Sequence, residues 1–279
     1  MKNRLIALAT LIAISGAAQA AMVTIGNAGN AADTTGYGAV GYTYQISTTE
    51  VTIAEFMASG AGSGNENFWN AGARTVGTAA PATYVSLYEA MKYCNYLTSG
   101  DVTLGAYQFS GGVYQSTDRA SAVTAYGTVY ALPTEDEWYK AAYFKPNASG
   151  YSLYANGTGT TPTQGGGATG WNYNSVNVSP NYARDVALGT MEQNGTYNMM
   201  GNVWEWTEDS FGVIRGGGMF DSESALRSSD RYVGGPTDED FGIGFRIVAI
   251  PEPASAMLVF FGAGIGLAVH RARRAATRR

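Results

Sequence analysis

Histidine and cysteine are almost absent from this chain of 279 residues. It has one histidine, His270, and one cysteine, Cys94. Residues 21–253 contain no histidine, so this segment has no Ser-His-Asp triad, no histidine general base and no histidine-bound zinc or iron. A single thiol also excludes an intrachain disulfide and a CxxC metal site.

Basic residues are few and unevenly placed. Seven of the 17 Lys and Arg residues lie in the first 20 and the last 26 positions, where no acidic residue occurs. The other ten lie in residues 21–253 together with all 22 Asp and Glu residues. This segment therefore has a formal net charge of −12. This acidic segment lacks the basic surface that nucleic-acid binding needs, and we expect no nucleic-acid partner. Its carboxylates suit hard cations such as calcium.

The N-terminal 20 residues have the three parts of a secretory signal peptide. Lys2 and Arg4 precede an apolar run over 5–14, and a small-residue site predicts cleavage after Ala20. A buried N-terminal helix is the structural alternative. The order of the three parts favours export.

The C-terminus has the parts of a second sorting element. Pro251, Glu252 and Pro253 precede a 16-residue apolar stretch over 254–269 and then an Arg-rich tail. The stretch is shorter than the roughly 20 residues of a relaxed transmembrane helix, and a simple tail anchor is the plainer interpretation. The order of Pro-Glu-Pro, apolar helix and arginines nevertheless resembles the PEP-CTERM sorting signal of Gram-negative bacteria.

That resemblance implies an exosortase and the export machinery as partners. It implies transient membrane insertion of the C-terminal helix and processing near the motif. The protein would pass the inner membrane and periplasm to reach the cell surface or the extracellular matrix. We therefore expect a signal peptide at 1–20, a lead-in at 21–35, a working domain at 36–250 and a sorting signal at 251–279.

Short elements separated by long loops are predicted for the working domain. Apolar residues alternate over 40–46, which is typical of a strand, and 213–215 and 243–248 are further short strands. The Gly- and Ala-rich residues 21–39 are either a loose lead-in or an edge segment. The Gly- and Ser-rich stretch 99–128 indicates loops and short strands.

Ser/Thr-x-x-Glu capping boxes predict three helix starts. They lie at Thr52, Ser86 and Thr134. After Ser86, apolar residues at helical spacing place Cys94 on a buried face, where a thiol is inert packing.

The densest cluster of functional residue types lies between Asn198 and Trp206. It offers an amide, a carboxylate and backbone carbonyls between two tryptophans, with Gly201 permitting a tight turn. These oxygens suit calcium. An equal alternative is a Trp-rich core turn in which Glu205 caps backbone N–H groups.

Several motifs, in order along the chain, resemble the formylglycine-generating enzyme, or sulfatase-modifying factor, family. The matching segments are Thr49-Glu50-Val51-Thr52, Val85–Ala90 continuing to Tyr93-Cys94-Asn95, Leu132–Trp138, Gly201–Trp206, Arg215-Gly216-Gly217 and Gly244-Phe245-Arg246. The resemblance implies an elaborated C-type-lectin-like α+β domain with few helices, short strands and long loops.

The same resemblance implies two structural calcium sites, each built from side-chain oxygens and backbone carbonyls. The first set is Asn198, Glu205, Gly201 and Val203, and the second set is Asn172, Asp185, Tyr173 and Ala187. A cation there would order loops that the core alone cannot hold.

The resemblance also implies a copper-dependent oxidase with two thiolates just after a Gly-Gly-Ser motif. Counted from Gly216, the thiol positions are Asp221 and Leu226, and the serine is Gly218. Copper(I) requires soft ligands, so these residues argue against copper as cofactor and against formylglycine generation by the known mechanism. Another branch of the family binds iron through histidines, which the mature segment lacks.

Polar and aromatic residues remain around the loop that would carry the thiols. The candidates for a ligand cleft are Trp204, Asp221, Arg227, Arg231 and Arg246. They predict either a pocket for a peptide or sugar, or a set of ion pairs that supports the loop.

We expect a calcium-stabilised binding or matrix protein without copper catalysis, whose partner is exopolysaccharide or a surface protein. Two alternatives stay open. One is an enzyme of the same family, of formylglycine-generating type or with another activity in the cleft. The other is a structural surface protein that only displays loops.

Overall fold

The computed structural model of the protein describes residues 21–64, 77–176, 183–209 and 211–250. The predicted signal peptide, its cleavage site and the predicted sorting signal lie outside these residues. Within the described ranges, no helix combines the length and the apolar character needed to span a membrane.

Short strands and short helices alternate along these residues. The strands are β1 (Met22–Ile25), β2 (Tyr44–Ser47), β3 (Tyr107–Ser110), β4 (Val113–Thr117), β5 (Val129–Ala131), β6 (Trp204–Trp206), β7 (Val213–Arg215), β8 (Tyr232–Val233), β9 (Ile243–Phe245) and β10 (Val248–Ile250), and the helices are α1 (Ile53–Ser59), α2 (Leu87–Ser99), α3 (Arg119–Tyr126) and α4 (Glu135–Tyr143). A 3₁₀ turn over Glu223–Leu226 lies between β7 and β8. The predicted α+β class is confirmed.

Local hydrogen bonds begin α1, α2 and α4 where the sequence predicts. Thr52, Ser86 and Thr134 each accept a bond from the backbone N–H of the glutamate three residues later, and that glutamate accepts one from the cap's own N–H. Each reciprocal pair satisfies two donors that the first helical turn leaves without an intrahelical partner.

The helix α3 lies in the stretch 99–128, where the sequence indicates only loops and short strands. Ala122 is its only buried residue, so no apolar stripe marks it in the sequence. The guanidinium of Arg119 instead holds it, 3.0 Å from Glu137 and 2.8 Å from Glu208. Asp118 caps the first turn locally, and these contacts with distant residues hold the helix against the rest of the domain.

Two four-stranded sheets form the scaffold. The first has the order β1-β2-β10-β5 and is antiparallel throughout, with Val248 between Ile46 and Ala131. The second has the order β8-β7-β6-β9, and the parallel pairing of β6 with β9 sets Glu205 beside Gly244. Strands β3 and β4 form a separate hairpin.

The chain passes from the second sheet to the first between β9 and β10. The sequence predicts one strand over 243–248, but the structure divides it at Arg246 and Ile247. The Arg246 guanidinium turns inward to meet Glu205, and the chain then enters the middle of the first sheet. Arg246 therefore lies at the junction of the two sheets.

The segment 21–35 contributes the edge strand of the first sheet. Met22 to Ile25 pair with β2, and this agrees with the second of the two interpretations that the sequence leaves open. The strand predicted over 40–46 is shorter than expected, since it begins at Tyr44.

Apolar side chains from both sheets and from α1, α2 and α4 join in one hydrophobic core. Trp138 on α4 and Trp206 on β6 are fully buried. Cys94 on α2 is also fully buried, as its helical spacing predicts, and burial raises the pKa of its thiol well above the usual value. A buried neutral thiol serves as packing.

Candidate functional site

Trp204 and Asp221 form the centre of the predicted cleft. The indole Nε1–H of Trp204, at the start of β6, donates to Asp221 Oδ2 over 2.8 Å. The backbone N–H of Gly218 donates to the same oxygen over 2.8 Å. The N–H of Asp221 returns a bond to the Gly218 carbonyl, which closes the turn. These charge-assisted bonds hold the carboxylate in one orientation.

Aromatic side chains surround this pair. The ring of Tyr232 on β8 is 62% exposed, and its centroid lies 6.4 Å from that of Trp204. Phe220, next to Asp221, is 41% exposed and lies edge-on to Phe241 at 5.7 Å. Exposed rings beside a fixed carboxylate can hold a ligand that has both apolar and hydrogen-bonding groups.

Arg227 and Asp230 bring further charge to the same loop. Arg227 Nε donates to Tyr154 Oη over 3.2 Å, and its Nη2 lies 3.6 Å from Glu223 Oε1. Burial raises the pKa of Asp230, and the negative charge of Asp221 raises it further, while nearby arginines oppose the shift. Asp230 is thus within electrostatic range of Asp221, and the loop carries both signs of charge.

Leu226, the second position at which the family resemblance implies a thiol, faces the core. Its side chain is fully buried at the end of the 3₁₀ turn. A Cβ on Gly217 would lie 2.9 Å from Leu226 Cδ2, so the Gly-Gly turn packs directly on this side chain. Of the two implied positions, only Asp221 contacts Trp204.

The structure places two of the predicted cleft residues elsewhere. Arg231 Nε lies 2.9 Å from Glu135 Oε1, and its guanidinium lies over the ring of Tyr37. Arg246 is fully buried, with its Nε 2.6 Å from Glu205 Oε2. Each arginine is drawn to a glutamate that is distant in sequence, which the sequence pattern does not reveal.

The fold and these positions agree with one protein family. Residues 22–250 match the domain described as sulfatase-modifying factor enzyme 1-like. The chain belongs to this family. No curated protein is a significant match to the chain.

Three solved structures are similar in fold to the chain. Treponema denticola variable protein 1 is 22% identical with a TM-score of 0.56, over 82% of this chain and 95% of its own. A crystal structure of CarF is 21% identical with a TM-score of 0.60, over 84% and 99%. PvdO from Pseudomonas aeruginosa is 17% identical with a TM-score of 0.52, over 82% and 91%. At these identities the likeness shows the fold alone.

Within this sulfatase-modifying factor domain, arginines occupy the side-chain oxygens predicted for the first calcium site. Glu205 accepts from Arg246 at both oxygens, over 2.6 and 2.7 Å, and from Trp138 Nε1 over 2.7 Å. Asn198 Oδ1 accepts from Arg184 Nη2 over 2.6 Å. Calcium would have to displace a guanidinium from each residue, so this donor set, as the structure holds it, does not fit the ion.

The backbone at Gly201, in the first predicted calcium set, lies against the backbone of Asn172, in the second set. Gly201 has a φ of +77°, and a Cβ there would lie 2.5 Å from the carbonyl oxygen of Asn172. Asn172 Nδ2 donates to Asn202 Oδ1 over 3.1 Å, and Val203 beside it is fully buried. Glycine at 201 is therefore required by the close approach of two backbone segments.

The second calcium set keeps an exposed carboxylate. Asp185 and Ala187 are exposed, whereas Tyr173 is buried. Across the described residues, no three His, Cys, Asp or Glu side chains form a cluster that could hold a metal ion. A calcium ion here would rely on amide and backbone oxygens beside Asp185, which calcium accepts. Calcium at this set stays a prediction.

A fully buried glutamate, Glu50, lies beside these residues and is not among the predicted site residues. It accepts from Asn198 Nδ2 over 3.2 Å and from Asn202 Nδ2 over 2.8 Å. Burial raises its pKa to about 7, and Arg246 opposes the shift. Glu50 belongs to the Thr-Glu-Val-Thr motif, between β2 and the cap of α1. This motif was the one feature of the sequence that could have identified Glu50 as a site residue.

Glu192 is a second such carboxylate. It accepts from the backbone N–H groups of Met199 and Met200, over 3.0 and 3.2 Å. Burial raises its pKa to about 7, again against the charge of Arg246. Together with Glu205, these carboxylates surround Arg246, so the interior behind the cleft is a charged network that holds loops together.

Proposed function

We propose that this chain is an exported binding protein that keeps the sulfatase-modifying factor fold without copper chemistry. The observation that supports it most is the carboxylate of Asp221, held by Trp204 Nε1 and the Gly218 N–H at 2.8 Å each. A hard, hydrogen-bonded carboxylate does not replace a thiolate on copper(I). Leu226 offers no donor atom, and Cys94 is buried within α2.

The residues around Asp221 favour binding of a macromolecular partner at the cell surface. Trp204, Tyr232 and Arg227 are of the types that dominate binding energy in protein interfaces. Aromatic rings such as Phe220 contribute large contact area at low conformational cost. A surface protein is the partner that this cleft fits best, and exopolysaccharide is the second candidate.

The location follows from the two ends of the chain. Within this proposal the protein is exported through the inner membrane, inserts its C-terminal helix transiently, and is processed near Pro251-Glu252-Pro253 by an exosortase. Replacing these three residues with alanine should leave the protein in the membrane fraction. Unchanged delivery to the surface by that variant would contradict the sorting proposal.

A copper assay tests the catalytic part. The full chain is mixed with copper, oxygen and a sulfatase-type cysteine peptide, and both oxygen consumption and conversion of the cysteine are measured. We expect neither to exceed the protein-free reaction. Turnover to formylglycine would overturn the proposal.

A pair of matched tyrosine variants tests the binding part. Tyr232→Ala removes an exposed ring beside Trp204, and Tyr126→Ala removes a 42% exposed ring from α3. Retention of each purified protein on matrix shed by the producing cells is compared with wild type. Loss of retention for Tyr232→Ala alone supports the cleft, and equal retention of both variants counts against it.

A further inference from the structure

One face of helix α4 holds the loop 27–38 in a fixed shape. Asp136 Oδ1 accepts from the N–H of Gly38 over 2.8 Å. Tyr139 Oη donates to Asp33 Oδ2 over 2.5 Å, and Lys140 Nζ donates to the carbonyl of Asn27 over 3.0 Å. Positions i, i+3 and i+4 lie on one side of a helix, so these three side chains act together on the loop.

Tyr151 holds the same loop from its other side. Tyr151 Oη lies 2.8 Å from the carbonyl oxygen of Gly38 and 2.9 Å from that of Ala31, so its single proton is shared between them, and it accepts from Asn30 Nδ2 over 2.6 Å. Gly38 has a φ of +94°, and a Cβ there would lie 2.6 Å from Tyr151 Oη. Only glycine allows this approach. The loop is therefore pre-organised from both sides.

Between the loop and the segment after α4 lies an open cavity of about 480 Å³. This volume is typical of sites for small ligands. Its walls are formed by Asn27, Ala28, Gly29, Asn30, Ala31, Ala32, Asp33, Thr34, Phe144, Ala148, Gly150 and Tyr151. None of these residues belongs to the cleft around Asp221.

The two sides of the cavity differ in chemistry. On one side, the rings of Phe144 and Tyr151 meet edge to face with centroids 5.0 Å apart. On the other side, the loop supplies amide, carboxylate and hydroxyl side chains at Asn30, Asp33 and Thr34, together with peptide groups. No cationic side chain is part of the lining. An anionic ligand would therefore face Asp33, while the nearby Lys140 ammonium is buried behind the wall and already donates to the Asn27 carbonyl.

We propose that this cavity binds a neutral saccharide of a few pyranose units. A pyranose ring has an apolar face of C–H groups that packs on aromatic rings, and hydroxyl groups around its edge. Those hydroxyls donate to the carboxylate and accept from backbone N–H groups, whereas the Asn30 amide already donates to Gly38 and Tyr151. This cavity is separate from the residues around Asp221. The saccharide proposal is therefore tested independently of the function proposed above.

The first test is direct binding. Maltotriose, cellotriose, mannotriose and N,N′,N″-triacetylchitotriose are titrated into the purified full chain, with saturation-transfer NMR and calorimetry as readouts. Trigalacturonate serves as the anionic comparison. We expect at least one neutral probe to bind more tightly than trigalacturonate. Absence of binding by every neutral probe, or tighter binding of the anion, would overturn the proposal.

Two variants locate the binding. Ala32→Trp fills the cavity from an exposed position and should abolish binding, whereas Ala168→Trp places the same ring on an exposed loop outside the lining. Asp33→Asn removes the charge that hydroxyl donors meet and should weaken binding by about tenfold. Asp101→Asn is its control, because both aspartates accept from a nearby threonine N–H and hydroxyl.

The outcomes separate this site from the cleft. Binding that is lost in Ala32→Trp and retained in Ala168→Trp and Tyr232→Ala supports the cavity. Binding that persists in Ala32→Trp, or that is lost in Tyr232→Ala instead, contradicts it.

Discussion

The guanidinium of Arg246 lies against both carboxylate oxygens of Glu205, with Nε 2.6 Å from Oε2 and Nη2 2.7 Å from Oε1. Both side chains are fully buried. Arg246 lies where the chain leaves the second sheet for the first, and Glu205 is the central residue of β6. The ion pair therefore joins the two sheets at one point.

Removal of one partner should destabilise the protein strongly. Arg246→Met leaves the Glu205 carboxylate buried without its cation, and we expect a loss of about 3–5 kcal/mol in the free energy of unfolding. Chemical denaturation measures it. Arg227→Met is the control, because that arginine pairs with Glu223 at the surface and bonds to Tyr154 only at its edge, so its loss should cost no more than about 1 kcal/mol. Equal effects of the two variants would refute the assignment.

Stability should fall as pH rises from about 5 to about 7. Burial raises the pKa of Glu50 and Glu192 from the usual 4.5 to about 7. In this window the folded protein keeps protons that the unfolded chain has released, so the folded state is favoured most at the acidic end. Urea unfolding at a series of pH values measures the slope.

A matched pair of glutamate variants tests the source of that slope. Glu192→Gln removes one buried carboxylate with a raised pKa and should make the slope shallower, while Glu223→Gln makes the same substitution at an exposed position and is the control. A stability that increases over the same pH range would disprove the assignment to buried glutamates.

Calcium should act through the second set of predicted ligands. Saturation at 100 times the dissociation constant would add about 2.7 kcal/mol to stability, which raises the melting temperature. We expect Asp185→Asn to remove this shift and Asp101→Asn, an exposed aspartate elsewhere, to retain it. If EDTA and calcium leave the melting temperature of the full chain unchanged, both predicted sets fail.

Alanine substitutions at two glycines can distinguish the cost of backbone strain from the cost of steric overlap. Gly36 and Gly38 both have positive φ, at +89° and +94°, but a Cβ meets nothing within 4 Å at Gly36 and meets Tyr151 and Tyr139 at Gly38. Gly36→Ala should cost about 1–2 kcal/mol from backbone strain. Gly38→Ala should cost about 1–3 kcal/mol more from overlap. Denaturant unfolding of both variants gives the difference, and equal losses would contradict the tight contact.

Local chemistry made the three capped helices predictable. Thr52, Ser86 and Thr134 bond with glutamates only three residues away, so the sequence contains the whole interaction. The burial of Cys94 follows from helical spacing in the same way. The proximity of Trp204 and Asp221 was also predictable, because they lie in or just after motifs that the family resemblance places together, whereas the cleft itself stays a prediction.

Other features could not be predicted, because they depend on contacts between residues that are distant in sequence. Arg231 and Arg246 were expected in the cleft from their charge, but each pairs with a glutamate that only the fold brings near. The division of 243–248 into two strands depends on which sheet each half joins. The cavity for which we propose a saccharide ligand lies between residues 27–34 and residues 144–151, and no local pattern relates these two segments.

The position of β10 has a consequence for the order of folding. Strand β10 is the last strand of the domain, yet in the first sheet it lies between β2 and β5. Until Val248–Ile250 have been synthesised, β2 and β5 have no strand between them to pair with. A nascent chain therefore carries an incomplete sheet with exposed edges until almost the whole domain exists. The first sheet is therefore completed only when synthesis of the domain is almost over, and its open strand edges are available for wrong pairing until then.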